Sequence, residues 1–207
     1  MFKNLILLYP SGSGGSHLAN LLSCNETCNP RFQVPDYPTQ LYQAYLSRPG
    51  DANFIDLQGF IRGEFNSEYF KTHLDRLLTS EQTNVLCGHL SDLIQCLDYV
   101  KALPDAAYIT FDLPIEGQLR KRIQTCTEIW GEYAYHEQII LYKDTTIRKL
   151  TGAEINKVFT FPADRIIDTN VDYIKDFLKN FLQLDLPDIC DELHNVWIND
   201  LFNLTVL

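Results

Sequence analysis

Between the apolar run Leu5-Ile6-Leu7-Leu8-Tyr9 and the helical stretch His17 to Leu22 lies Pro10-Ser11-Gly12-Ser13-Gly14-Gly15-Ser16. Three glycines let such a chain curl with its N–H groups pointing inward, and the amino end of the following helix adds partial positive charge. This is the chemistry of an anion cradle, and Ser11, Gly12, Ser13, Gly14, Gly15 and Ser16 are its candidate ligands. Against the ATP- and GTP-binding pattern GxxxxGK followed by Ser or Thr, Gly14 and Ser16 fit. Gly15 falls where the lysine belongs, and Tyr9 where the first glycine belongs. A loop without that lysine is poorly equipped to hold a γ-phosphate, so the sequence predicts a nucleotide-like anion rather than a triphosphate.

Other groups with chemistry lie near this loop in the expected fold. His17 stands in the first turn after it, where a neutral imidazole would partly replace the missing lysine. His89 follows the run Val85-Leu86-Cys87-Gly88 at a strand end. Arg120-Lys121-Arg122 diverge by about a hundred degrees per residue on a helix, so Arg120 or Arg122 is the candidate to face a phosphate. Lys71-Thr72-His73-Leu74 falls inside a helical pattern and reads as helix surface. His136 and His194 read as packing or surface residues, and Trp130, Tyr133 and Tyr135 as aromatic core with a pocket-lining alternative. Tyr108 to Asp112 reads as a hydrophobic strand ending in a carboxylate that would suit magnesium. Cys24 and Cys28 lack the second pair that a structural zinc site requires, so no metal is expected.

The elements that must position these residues follow from periodicity. A short continuous apolar run marks a buried strand at Leu5 to Tyr9, Asn84 to Gly88 and Ala106 to Phe111 are a second and third strand, and Val158 to Phe161 and Arg165 to Ile167 are short extended segments. Helices are expected at Ser67 to Leu78, Ser91 to Leu103, and Ile115 to about Lys149 with a break near Gly131. Two more follow at Val171 to Leu182 and Ile189 to Leu204; the first turns Tyr173, Ile174, Phe177, Leu178 and Phe181 inward. Cys24 to about Asp56 is rich in proline and reads as loop, with one helix around Leu41 to Leu46. Alternating strands and helices imply right-handed crossovers. The expected object is one α/β domain over residues 1–207, a three-layer sandwich with a central, mostly parallel sheet and a P-loop-like strand–loop–helix at its start. Ligands of such sheets sit beyond the carboxyl ends of the strands, where the glycine loop lies.

A net charge of −10 excludes broad binding to nucleic acid, which needs a basic surface to displace counterions. No apolar run is long enough to cross a bilayer, and Phe2 to Tyr9 is too short for the core of a signal peptide. A cytoplasmic protein with reduced cysteines is expected.

The lysine-free loop resembles that of the sulfotransferases, whose loop reads PKSGTTW in cytosolic members and KGGTR in heparan-sulfate members. Ser13-Gly14-Gly15-Ser16-His17 is similar to the latter, with Ser16 at the hydroxyl residue that contacts the 5′-phosphate and Ser13 at the lysine. Val85 to Leu90 resembles the family's strand ending in Thr-His-Leu, which implies that His89 is the general base. Ala107 to Phe111 resembles the strand before the 3′-phosphate site, but Phe111 or Asp112 stands where the family has arginine, leaving Arg120 or Arg122 to supply the charge. Arg165 to Asp185 is similar to the family's late strand and helix. The resemblance implies a distant or reduced sulfotransferase that binds 3′-phosphoadenosine 5′-phosphosulfate (PAPS) and sulfates a hydroxyl or amine of a small-molecule or glycan acceptor. Two other readings stand beside it. One is a nucleotide-dependent phosphotransferase built on Asp112; the other is a binding protein that keeps the fold without the chemistry.

Overall fold

The structure is a computed structural model that describes residues 2–28, 55–56, 75, 78–130, 143–168 and 170–203. Five strands form one parallel sheet: β1 (Asn4–Leu8), β2 (Ile55–Asp56), β3 (Asn84–Gly88), β4 (Ala106–Asp112) and β5 (Val158–Pro162). Their order is β2-β3-β1-β4-β5, so β1 lies in the centre and the chain winds outward from it in both directions. Every residue of β1 is buried, as a central strand covered on both faces requires.

Alternation along the strands divides the core in two. Leu5, Leu7, Ala107, Ile109 and Phe111 point to one face. There they meet α1 (Gly15–Ser23), α4 (Gln118–Trp130), α6 (Asp172–Phe177) and α7 (Ile189–Asn203). Ile6, Leu8, Leu86 and Tyr108 point to the other. That face is covered by α2 (Leu90–Gln95), α3 (Leu97–Lys101) and α5 (Asp144–Thr151). Each fully buried Leu or Ile contributes roughly 1.5–3 kcal/mol of transfer free energy, so both faces are needed to hold the sheet. The result is the three-layer α/β sandwich expected from the sequence. Among the described residues, no helix is long and apolar enough to cross a membrane.

At the amino ends of the strands, two buried asparagines face each other across β1 and β3. Asn84 Nδ2 donates to Asn4 Oδ1 at 2.8 Å, and Asn4 Nδ2 donates to the Pro104 carbonyl at 2.6 Å.

Several elements differ from expectation. Arg165 to Ile167 is not extended; it forms a 3₁₀ turn over Ala163–Ile167 that buries Ala163 and Ile166. Ile55–Asp56, within the stretch read as loop, pairs with β3 as an edge strand. The helix expected over Ser91 to Leu103 is broken at Cys96 into α2 and α3. The helix expected through Leu182 passes from α6 into a π-helical turn at Leu178–Leu182. That wider turn rotates the inward face by a residue, so Leu182 is buried while Phe181 is 53% exposed. Tyr173 is likewise on the exposed side, and Ile174, Phe177 and Leu178 are buried as expected. The expected helix at Leu41 to Leu46, most of that at Ser67 to Leu78, and Lys71-Thr72-His73-Leu74 lie outside the described residues. So do Tyr133, Tyr135, His136 and the side chain of Trp130.

Candidate active site at the glycine loop

The chain leaves β1 at Tyr9 and reaches α1 through a turn closed by Ser13, whose N–H and hydroxyl both donate to the Pro10 carbonyl, at 3.2 and 2.8 Å. Gly14 caps α1 at φ 84°, a left-handed conformation that side chains rarely adopt. Among the described residues no side chain caps this helix end, and its first turn holds no acidic residue. Within that turn its partial positive charge therefore faces the loop without a neutralising carboxylate.

Gly15 is set by a different constraint. A Cβ there would lie 1.9 Å from Cγ of Tyr9, whose ring packs directly over the glycine. Tyr9 is held in turn by edge contacts with His89 and Phe111, at centroid distances of 5.8 and 6.0 Å. Its hydroxyl lies 3.0 Å from Ser16 Oγ. Ser16 is exposed, and Ser11, Gly12 and Gly14 are half-buried, so these residues form the open rim of the loop.

His89 follows β3 directly and its carbonyl accepts from Leu93 N at the start of α2. Its Nε2 lies 3.2 Å from Ser11 Oγ, which joins the end of β3 to the loop after β1. The ring is 5% exposed, and half-buried Ser11 lies on its Nε2 edge. From the opposite side, α4 reaches the loop through Arg122, whose Nε donates to the Gly12 carbonyl at 3.2 Å. Arg120 is half-buried two residues earlier, about 200° round the helix from Arg122. Asp112 is exposed at the end of β4.

Two expected site residues are placed elsewhere. Ser13 is fully buried and its polar groups close the turn, because the chain must reverse at once after Pro10. His17 does not turn to the loop: it is 1% exposed, stacks on Trp197 at 4.1 Å, and shares a hydrogen bond of 2.9 Å with His194. The helical phase after Gly14 sends position 17 inward against α7, whereas position 16 stays outside. Burial, and secondarily the neighbouring His194, holds the His17 imidazole well below its ordinary value. Tyr9 was legible only as a departure from the loop pattern; its contact with Ser16 needed the fold. His194 and Trp197 carry no local signal of their partnership with His17.

No family model matches this chain, and no curated protein matches it by sequence. Solved structures do. The sulfotransferase domain from the curacin biosynthetic pathway superposes with a TM-score of 0.50 at 13% identity, covering 91% of this chain and 76% of that one. The chain has a sulfotransferase-type fold. Sulfotransferase STF1 from Mycobacterium tuberculosis H37Rv is also similar, with a TM-score of 0.49 and 12% identity over 94% of this chain and 71% of that one. In the sulfotransferase-type frame of this chain, the glycine loop, the end of β3 and the start of α4 converge at one end of the sheet.

Proposed function

We propose that the protein binds PAPS at the glycine loop and transfers its sulfuryl group to a hydroxyl or amine of a small-molecule or glycan acceptor. The observation that carries this reading is the Ser11–His89 contact of 3.2 Å, which sets a base beside an anion cradle in a sulfotransferase-type fold. The residues present suit the donor in kind. An uncapped helix end, an exposed Ser16 hydroxyl and the Arg122 guanidinium beside Gly12 offer positive potential and donors, without the family's lysine or strand-end arginine.

When bound, the donor supplies an activated sulfuryl group. The chain's own part is to hold the phosphate end and to remove the acceptor proton. Ser11 stands at the His89 Nε2 edge and is the more exposed of the two. As the acceptor's O–H or N–H bond breaks, Ser11 Oγ takes that proton and passes its own to His89 Nε2, with Nδ1 already protonated. A base must lie within hydrogen-bond reach of the proton it removes, directly or through one relay; the 3.2 Å Ser11–His89 contact is the relay leg of that path.

Thermal stabilisation tests the donor. Adenosine 3′,5′-bisphosphate at a hundred times its dissociation constant adds about 2.7 kcal/mol of stability. His89→Ala keeps that shift and abolishes transfer. A shift only with ATP and Mg²⁺ would favour instead a phosphotransferase centred on Asp112, the exposed carboxylate at the end of β4. A bisphosphate shift without any transfer would favour a binding protein.

A further inference from the structure

The loop departs from the ATP and GTP pattern at two positions, and the structure shows that the two departures are one exchange. The pattern places glycine first and lysine seventh; here Tyr9 is first and Gly15 seventh. The Tyr9 ring fills the space into which a side chain at position 15 would grow, since a Cβ there would meet Tyr9 Cγ, Cδ1 and Cδ2 at 1.9, 2.1 and 2.5 Å. The ring has little room to retreat, being 6% exposed and wedged between His89 and Phe111. Where the pattern has a charged side chain, this loop has a neutral one, from position 9, whose hydroxyl reaches the pattern's hydroxyl residue, Ser16, at 3.0 Å.

We infer that Tyr9 is the positioning residue of the anion site: its phenol donates to Ser16 Oγ and so turns the Ser16 proton outward to the bound phosphate. The inference rests on the proposed function for the identity of the anion, but its physical basis is simpler. A phosphate oxygen only accepts. Ser16 has one proton to give it and two lone pairs, one of which the Tyr9 O–H satisfies. In that arrangement each hydroxyl polarises the next, which strengthens the bond to the anion. The anion is then held by neutral donors whose direction is fixed. Such a site favours a phosphate end whose neighbouring group must leave, over a triphosphate whose charge calls for lysine and Mg²⁺.

A double-mutant cycle tests this, read by isothermal titration with adenosine 3′,5′-bisphosphate and, in parallel, with pyrophosphate. Tyr9→Phe keeps the packed ring and weakens binding by up to about tenfold, the effect of losing the neutral hydrogen bond that orients Ser16. In a Ser16→Ala background, at an exposed position that tolerates alanine, the same change costs less than about twofold, because Tyr9 acts through Ser16. Ser16→Thr restores the tenfold dependence. Equal losses from Tyr9→Phe in both backgrounds, or none in either, overturn the inference. Coupling with pyrophosphate but no binding of the bisphosphate supports Tyr9 and sinks the PAPS reading. No binding of either anion by the wild type overturns both.

Discussion

His17 and His194 form a directional chain inside the molecule. His194 Nε2 lies 2.7 Å from the Asp168 carbonyl, which only accepts, so that nitrogen carries a proton. In the neutral ring Nδ1 is then bare, and it accepts from His17 Nε2 at 2.9 Å. Burial pushes both imidazoles below their ordinary value of 6.5; for His194 the Asp168 carbonyl and the charges of Asp168 and Asp191 partly oppose it. The unfolded chain therefore binds more protons than the folded one as pH falls below 6.5. Stability is fully present above that value and is lost progressively below it. Urea denaturation between pH 8 and 5 should show a decline that is shallower in His17→Gln; a profile unchanged by that substitution would remove the pair from the pH response. Because His17 lies two residues into α1 and stacks on Trp197 of α7, this loss falls on the contact that braces the loop's own helix.

At the scale of the element, the loop is held by size complementarity between Tyr9 and Gly15. Gly15→Ala should cost about 3 kcal/mol, because a methyl group is driven into a ring that cannot move without disturbing His89 and Phe111. In a Tyr9→Ala background the same change should cost less than about 1 kcal/mol; thermal unfolding of the four proteins checks it. The elements that could be read in the sequence are those whose signal is local. β3 and β1 are unbroken apolar runs, and the turn after Leu8 is marked by proline and glycines. His89 could be placed because it directly follows such a run. The π-helical turn after Phe177 could not, since nothing in Leu178 to Leu182 departs from an ordinary amphipathic pattern. Nor could the inward course of His17: its partners lie 177 and 180 residues away on α7, and only their burial decides which way the ring turns. Ile55–Asp56 is two residues long, too short for any periodicity to report.

In the whole molecule, the proposed function depends on three chain segments arriving together at one end of the sheet. β1, β3 and β4 begin side by side, with Asn4 opposite Asn84 and Ala106, so Leu8, Gly88 and Thr110 lie level and β4 runs two residues further to Asp112. An all-apolar strand such as Leu5-Ile6-Leu7-Leu8 has little intrinsic preference among registers. The buried amides at its foot supply one, because a slip breaks the bond from Asn84 to Asn4 Oδ1. Asn84→Leu, which leaves Asn4 Oδ1 without its donor, should cost about 2 kcal/mol in urea denaturation. The larger consequence is one of alignment. A parallel strand advances about 3.3 Å per residue, and a one-residue slip also turns every side chain to the opposite layer. Such a slip between β1 and β3 would carry His89 out of reach of Ser11 altogether. The asparagine pair thus works as a gauge: two amides at the floor of the sheet set the height at which His89 and the glycine loop, the proposed base and anion cradle, meet at its top.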